Sequence, residues 1–177
     1  SALDLCRRRA FVYRPVKDSF ASRADFQAML PLYDAILVPD DREAVDPSEV
    51  EAPEEARGRM SFTGPVMSRE RVEQLDRGSA RSRLGVEGDR LAVYVSAGGG
   101  GDRGAERHLM EAIAAFGSDP GIHLVVGAGP LYRGRVMYGP RITWLAGAGA
   151  SEFMQGIDVA IAAAGYNTFF ELMHAGV

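Results

Sequence analysis

The chain has 177 residues, of which 46% are hydrophobic and 25% charged, and it carries a formal net charge of −4. This composition excludes a disordered chain, a collagen-like chain and a coiled coil. The single cysteine excludes a disulfide framework and a cysteine-rich zinc site. No apolar run approaches the ~18 residues that span a bilayer, and no apolar signal core follows the arginines near the amino end, so we expect a cytoplasmic protein. The negative charge argues against a nucleic-acid partner.

Glycine and charge are distributed unevenly along the chain. Residues 91–177 hold 16 of the 21 glycines, whereas residues 1–90 hold 32 of the 44 charged side chains. We therefore expect two structurally distinct regions, the first rich in charged residues and the second rich in glycine. The predicted division places one domain at 1–64 and a second at 65–177.

The first region is predicted to consist of short α/β elements. Apolar runs indicate strands at 11–13, 35–38 and 61–65, and helical spacing indicates helices at 20–30 and 69–84. Residues 40–59 contain prolines and many acidic side chains without periodicity, which predicts an exposed loop.

The second region alternates apolar strands with helices more regularly. Strands are predicted at 91–95, 122–126, 141–145 and 158–162, and helices at 105–116, 151–156 and 168–175. Strands that are apolar on both faces predict a Rossmann-like parallel sheet with helices on both faces. Such sheets usually have five or six strands, and only four are predicted here. We therefore expect a fragment, or a chain whose sheet edge is covered by a partner or a second copy.

The loop after the first of these strands contains four consecutive glycines, Gly98, Gly99, Gly100 and Gly101, followed by Arg103. Glycine lets backbone N–H groups approach a phosphate, and the start of a helix adds partial positive charge. Arg103 could reach a pyrophosphate or lie in solvent. No Gly-Lys-Ser/Thr follows, which argues against a P-loop. A tight turn without a ligand is the alternative interpretation.

The loop after the last predicted strand contains Gly165, Asn167 and Thr168, and Glu171 follows in the next helix. Asn167 or Thr168 is the expected N-cap. Glu171 is expected in the first turn, where it could either stabilise the helix dipole or accept two hydrogen bonds from a ribose diol.

The pattern Ala-Gly-Tyr-Asn-Thr-x-x-Glu-Leu-x-x-x-Gly, preceded by Asp-Val-Ala-Ile, resembles the donor-binding signature of GT-B glycosyltransferases. The group that it resembles contains the bacterial enzyme that adds N-acetylglucosamine to the lipid-linked peptidoglycan precursor. The resemblance covers about residues 60–177. It implies that Glu171 binds the ribose hydroxyls, that Thr168 and nearby amides hold the pyrophosphate, and that the strand ending at Leu145 presents its backbone to uracil.

The implied activity is inverting, metal-independent transfer from a nucleoside diphosphate sugar, such as a UDP-sugar, to an unknown acceptor, without a cofactor. Residues 1–64 would be the tail of an acceptor-side α/β domain with its linker. The family's Gly-Gly-Ser-x-Gly loop is Gly-Gly-Gly-Gly-Asp here, so its serine contact to phosphate is missing. No catalytic base is identified, and any peripheral membrane contact is expected through missing regions. The alternatives are a nucleotide-sugar hydrolase or epimerase, and a non-catalytic donor-binding subunit that needs a partner chain.

Overall fold

A computed structural model describes residues 6–14, 22–45, 52–145, 149–163 and 165–177. The chain forms two compact units, Ser1–Val66 and Met67–Val177. Residues 1–5, the predicted helix start at 20–21, positions 46–51 of the predicted loop, and Ala164 lie outside the described residues. Within the described ranges, no helix combines the length and apolarity needed to cross a bilayer.

The first unit contains a three-stranded parallel sheet. Its strands are β1 (Ala10–Val12), β2 (Ala35–Val38) and β3 (Met60–Phe62), in the order β1-β2-β3. Helix α1 (Arg23–Met29) continues into a 3₁₀ turn at Leu30–Leu32. The fully buried Leu30 and Ile36 lie in the core of this unit.

The prediction of an exposed loop over 40–59 was wrong for its second half. A one-turn helix, α2, spans Glu54–Arg57, and its Ala56 is completely buried in the core of the first unit. Ala52, which precedes the helix, is also buried. Ala56 lies between Glu55 and Arg57, so the charged neighbours hid a single buried apolar residue.

The second unit contains a four-stranded sheet in which every strand pair is parallel. Its strands are β4 (Leu91–Ser96), β5 (Ile122–Gly127), β6 (Ile142–Leu145) and β7 (Val159–Ala162). The strand order is β6-β5-β4-β7. This is the order of the first four strands in a doubly wound sheet, 3-2-1-4, and it is consistent with a Rossmann-like fold.

Helices cover both faces of this sheet, as predicted. Helix α4 (Ala105–Phe116) packs on the face that carries Val93, Val95, Leu124 and Val126. The opposite face is covered by α3 (Arg77–Leu84), a 3₁₀ segment at Gly149–Gly156, and α5 (Tyr166–Ala175). The side chains buried on the two faces alternate along β4 and β5, because successive strand residues point to opposite sides.

The single helix predicted at 69–84 is divided into two elements. A 3₁₀ turn at Arg71–Glu73 ends in extended backbone at Gln74, and α3 begins only after Asp76. Asp76 caps α3 by accepting a hydrogen bond from the Ser79 amide at 3.0 Å. The Leu75 amide donates to the carbonyl of Glu152 at 3.0 Å, so a tertiary hydrogen bond replaces the helical one at the break.

Strand β7 lies at an edge of the sheet. Among the described strands it pairs only with β4, and Val159 and Ile161 remain exposed on the α4 face. An open groove of about 480 Å³ runs beside Ile161, with Val95, Ala112 and Ala115 in its wall. Part of this sheet face is therefore uncovered by the described elements.

Candidate functional site

The carboxyl ends of β4 and β7 lie where doubly wound sheets have their ligand crevice. The two strands are neighbours, and Ser96 at the end of β4 is in register with Ala162 at the end of β7. The chain leaves β4 towards α4 on one face and leaves β7 towards α5 on the other. Loops that diverge to opposite faces leave a crevice between them, and this is where doubly wound sheets bind ligands.

The glycine loop after β4 is fixed by its own contacts. The Gly98 amide donates to Ser96 Oγ at 3.1 Å, and the Leu131 amide donates to the Gly99 carbonyl at 3.0 Å. Gly100 has a φ of +77°, and a Cβ there would collide with the carbonyl oxygen of Ala128. Glycine at position 100 is therefore required by the turn and its packing, with or without a ligand.

The other side of the same loop is open. A Cβ at Gly98 or Gly99 would meet no atom within 4 Å, and Gly99 is exposed. Gly101 instead packs against the side chain of Leu131. No neighbouring atom therefore obstructs the backbone at Gly98 and Gly99, although the Gly98 amide is already bonded to Ser96 Oγ.

Helix α5 starts earlier than predicted, and its N-cap is Gly165 rather than Asn167 or Thr168. Gly165 caps in extended backbone without a side-chain hydrogen bond, so Asn167 and Thr168 fall within the first turn. Glu171 is then the sixth helical residue, and the first turn contains no acidic side chain. The interpretation of Glu171 as a first-turn dipole partner was therefore wrong.

The charge of Glu171 is felt at Tyr94, near the base of the glycine loop. Burial raises the pKa of the Tyr94 phenol; a hydrogen bond with Ser96 opposes this shift, and the negative charge of Glu171 adds to it. Tyr94 is in β4, two residues before Ser96, whose hydroxyl also accepts from the Gly98 amide. The carboxylate of α5 is therefore within electrostatic range of the strand end that leads into the glycine loop.

A hydrogen bond to Glu171 was missed by the sequence reasoning. The Ser68 hydroxyl donates to Glu171 Oε1, although the two residues are 103 positions apart. Ser68 is exposed and precedes the first 3₁₀ turn of this unit. Nothing in the sequence around Ser68 indicates this role, because the contact exists only in the folded chain. The carboxylate is thus already serving as an acceptor for a hydroxyl group.

The remaining predicted site residues lie around the crevice with fewer contacts. Arg103 is exposed in the turn before α4, and Asn167 is exposed on α5. Thr168 is half-buried. Leu145 ends β6, three strand positions from β7, and its side chain packs in the core on the α5 side of the sheet. Arg103 and Leu145 are therefore at the same sheet end but are not brought against Glu171.

No group of three or more potential metal-binding side chains occurs in the part of the chain that the structure describes. No family model matches this sequence, and no curated protein matches it. The functional proposal below therefore rests on the residues of this chain and their geometry.

Proposed function

We propose that this chain binds a nucleoside diphosphate sugar at the crevice between β4 and β7 and acts as an inverting, metal-independent glycosyltransferase of the GT-B type. The observation that carries the proposal is that Glu171 accepts a hydroxyl hydrogen bond from Ser68, while its charge also acts on Tyr94 before the glycine loop. A carboxylate that accepts hydroxyl hydrogen bonds, near a glycine loop with little steric bulk, matches a ribose linked to a pyrophosphate.

In this proposal the ribose diol takes the place of the Ser68 hydroxyl on Glu171. Both diol hydroxyls donate to the carboxylate, and hydrogen bonds to a charged acceptor are stronger than neutral ones. Leu145 at the end of β6 would present backbone to the base. The sequence resemblance to the GT-B donor signature assigns the same roles to these two positions.

The pyrophosphate would lie against the backbone at Gly99 and the start of α5, because the Gly98 amide already donates to Ser96 Oγ. Backbone N–H groups and a helix amino terminus stabilise negative charge without a metal ion. This matters most as the bond to the sugar breaks, because negative charge then accumulates on the leaving nucleoside diphosphate. Arg103, in the turn after the loop, could add a bidentate contact.

The proposal is tested by calorimetric titration of UDP into the 177-residue chain and its Glu171→Ala variant. Removal of two charge-assisted hydrogen bonds should weaken binding by about 2–4 kcal/mol, roughly 30- to 1000-fold. The matched control is Glu152→Ala, a half-buried glutamate of the same unit whose contact is an ion pair with Arg83 at 2.9 Å. The control should bind UDP as the wild type does.

Two results would reject the proposal. One is an absence of binding by the wild-type chain for any nucleoside diphosphate at millimolar concentration. The other is normal UDP binding by the Glu171→Ala variant together with a much lower melting temperature, which would assign Glu171 a structural role. If binding is confirmed, incubation with a UDP-sugar distinguishes transfer to an acceptor from release of free sugar, which a hydrolase would produce.

A further inference from the structure

Strand β4 ends in a buried polar residue, Ser96, which is only 6% exposed. The five residues before it are apolar except for the phenol hydroxyl of Tyr94. A buried hydroxyl is destabilising unless it takes part in a hydrogen bond. Ser96 Oγ meets this requirement by accepting from the Gly98 amide at 3.1 Å, two residues further along the chain. This hydrogen bond joins the end of the strand to the glycine loop.

The hydrogen bond between Ser96 and Gly98 shapes the first turn of the glycine loop. A serine hydroxyl that accepts from the amide two residues later forms a side-chain turn. Gly98, in this turn, has a φ of +72°, which is a left-handed conformation. On the other side of the loop, the Leu131 amide donates to the Gly99 carbonyl at 3.0 Å. The backbone around Gly99 is therefore held from both directions, while the space beside Gly99 is open.

The hydroxyl of Tyr94 lies level with Ser96 on the same face of the sheet. The two residues are two positions apart in β4, so both side chains point to the side where Tyr94 packs in the core with α5. Gly127 is the register partner of Ser96 on β5, and a Cβ on Gly127 would collide with Tyr94 Oη. Tyr94 also forms a hydrogen bond with Ser96. The phenol therefore limits the positions that the Ser96 hydroxyl can take.

We propose that Ser96 is a positioning residue for the pyrophosphate and that Tyr94 acts through Ser96. This inference rests on the proposed function, because it assigns a task to two buried hydroxyl groups behind the same crevice. Neither hydroxyl touches the ligand. Ser96 fixes the loop through the Gly98 amide, and the phosphate lies against the backbone at Gly99. Backbone dipoles that are already in place stabilise an anion more strongly than mobile ones, because binding requires no reorganisation.

The inference separates the phosphate end of the ligand from its nucleoside end. UDP would contact both the glycine loop and Glu171, whereas uridine has the ribose and the base but no phosphate. Ser96→Ala removes the hydroxyl that fixes the loop, so it should weaken UDP binding about fivefold, the effect of one hydrogen bond. Uridine binding should be unchanged. A loss of stability alone would leave the ratio of the two dissociation constants at its wild-type value.

The test measures both dissociation constants by amide NMR titration of the 177-residue chain and its variants. Tyr94→Phe should weaken UDP binding less than Ser96→Ala does. Adding Tyr94→Phe to Ser96→Ala should weaken UDP binding no further, because Tyr94 acts through Ser96. The matched control is Ser151→Ala, the same substitution at a serine that is 2% exposed and lies outside the glycine loop. The control should keep the wild-type ratio of the two dissociation constants.

Amide hydrogen exchange provides a second readout that needs no ligand. The Gly98 amide should exchange faster in Ser96→Ala than in the wild type, because it loses its acceptor. Unchanged exchange at Gly98, an unchanged ratio in Ser96→Ala, or an equal change in Ser151→Ala would each overturn the inference while leaving UDP binding by the wild type intact. Absence of UDP binding by the wild type would instead reject the proposed function, and this inference with it.

Discussion

Asp158 joins three elements of the second unit through one carboxylate. It accepts hydrogen bonds from Arg77, from Arg81 at 2.9 Å, and from the Ala92 amide at 2.7 Å. The side chains of Asp158 and Arg81 are only 18% and 15% exposed. The carboxylate thereby ties α3 and the start of β4 to the start of β7, the strand that leads to Glu171.

Asp158→Asn retains the shape of this side chain but removes its charge. The more exposed pair with Arg77 contributes less than about 1 kcal/mol. The shielded bonds to Arg81 and Ala92 carry most of the effect, since hydrogen bonds to a charged group contribute about 1.5–3 kcal/mol. We expect the free energy of unfolding at pH 7 to fall by about 2–3 kcal/mol, measured by urea titration with far-UV circular dichroism. The control, Asp89→Asn at an exposed turn, should change it by less than about 0.5 kcal/mol.

The pH dependence provides an independent check. Burial acts to raise the pKa of Asp158, but the hydrogen bonds from Arg77, Ala92 and Arg81 outweigh it, so this pKa lies below its ordinary value. The stabilisation is therefore complete above the unfolded-state pKa of about 4 and is lost as the pH falls towards the folded-state pKa. The difference between wild type and Asp158→Asn should shrink over that acid range. Equal stability of the two proteins at pH 7, or a difference independent of pH, would refute this reasoning.

Two further predictions concern packing and titration. Gly100→Ala should destabilise the second unit by about 2–4 kcal/mol in urea unfolding, because the added Cβ would collide with the Ala128 carbonyl oxygen. Gly99→Ala should change the stability by less than about 1 kcal/mol, because the space beside Gly99 is open. Equal effects of the two substitutions would contradict this prediction. Burial, aided by the charge of Arg90, lowers the pKa of His123, so the unfolded chain binds its proton more readily. The free energy of unfolding should thus fall as the pH drops below about 6.5, and His123→Gln should reduce that slope; an unchanged slope would assign it to other groups.

The sheet of the second unit could be predicted closely from the sequence. The runs that form β4 and β5 are apolar on both faces, and only a strand covered on two sides requires that pattern. Helix α4 has the predicted bounds because its apolar residues follow helical spacing and Gly117 ends it. Burial on one or both faces leaves a clear periodic signal in these segments.

The errors occurred where tertiary contacts decide local structure. The break before α3 depends on the Leu75–Glu152 backbone hydrogen bond, whose partners are far apart in sequence. The buried Ala56 of α2 is a single apolar position in an acidic segment, which is too short for a periodic signal. Capping preferences favoured Asn167 or Thr168, but the N-cap of α5 is Gly165.

The candidate site was predictable from the sequence only in part. The order of strands and helices places the loops after β4 and β7 together at the point where the sheet order reverses, so Gly98 and Glu171 could be expected near one crevice. Ser68 and Tyr94 could not be assigned to it. Their proximity to Glu171 follows from side-chain packing, which no local pattern of residues encodes.

The most direct test of the central claim is a backbone amide NMR titration of the ¹⁵N-labelled 177-residue chain with UDP. We expect the largest saturable changes in amide chemical shift at Gly98, Gly99 and the first turns of α5, including Glu171. Saturable changes confined to the amino ends of the strands, or to residues 1–66, would contradict the assignment of the crevice between β4 and β7.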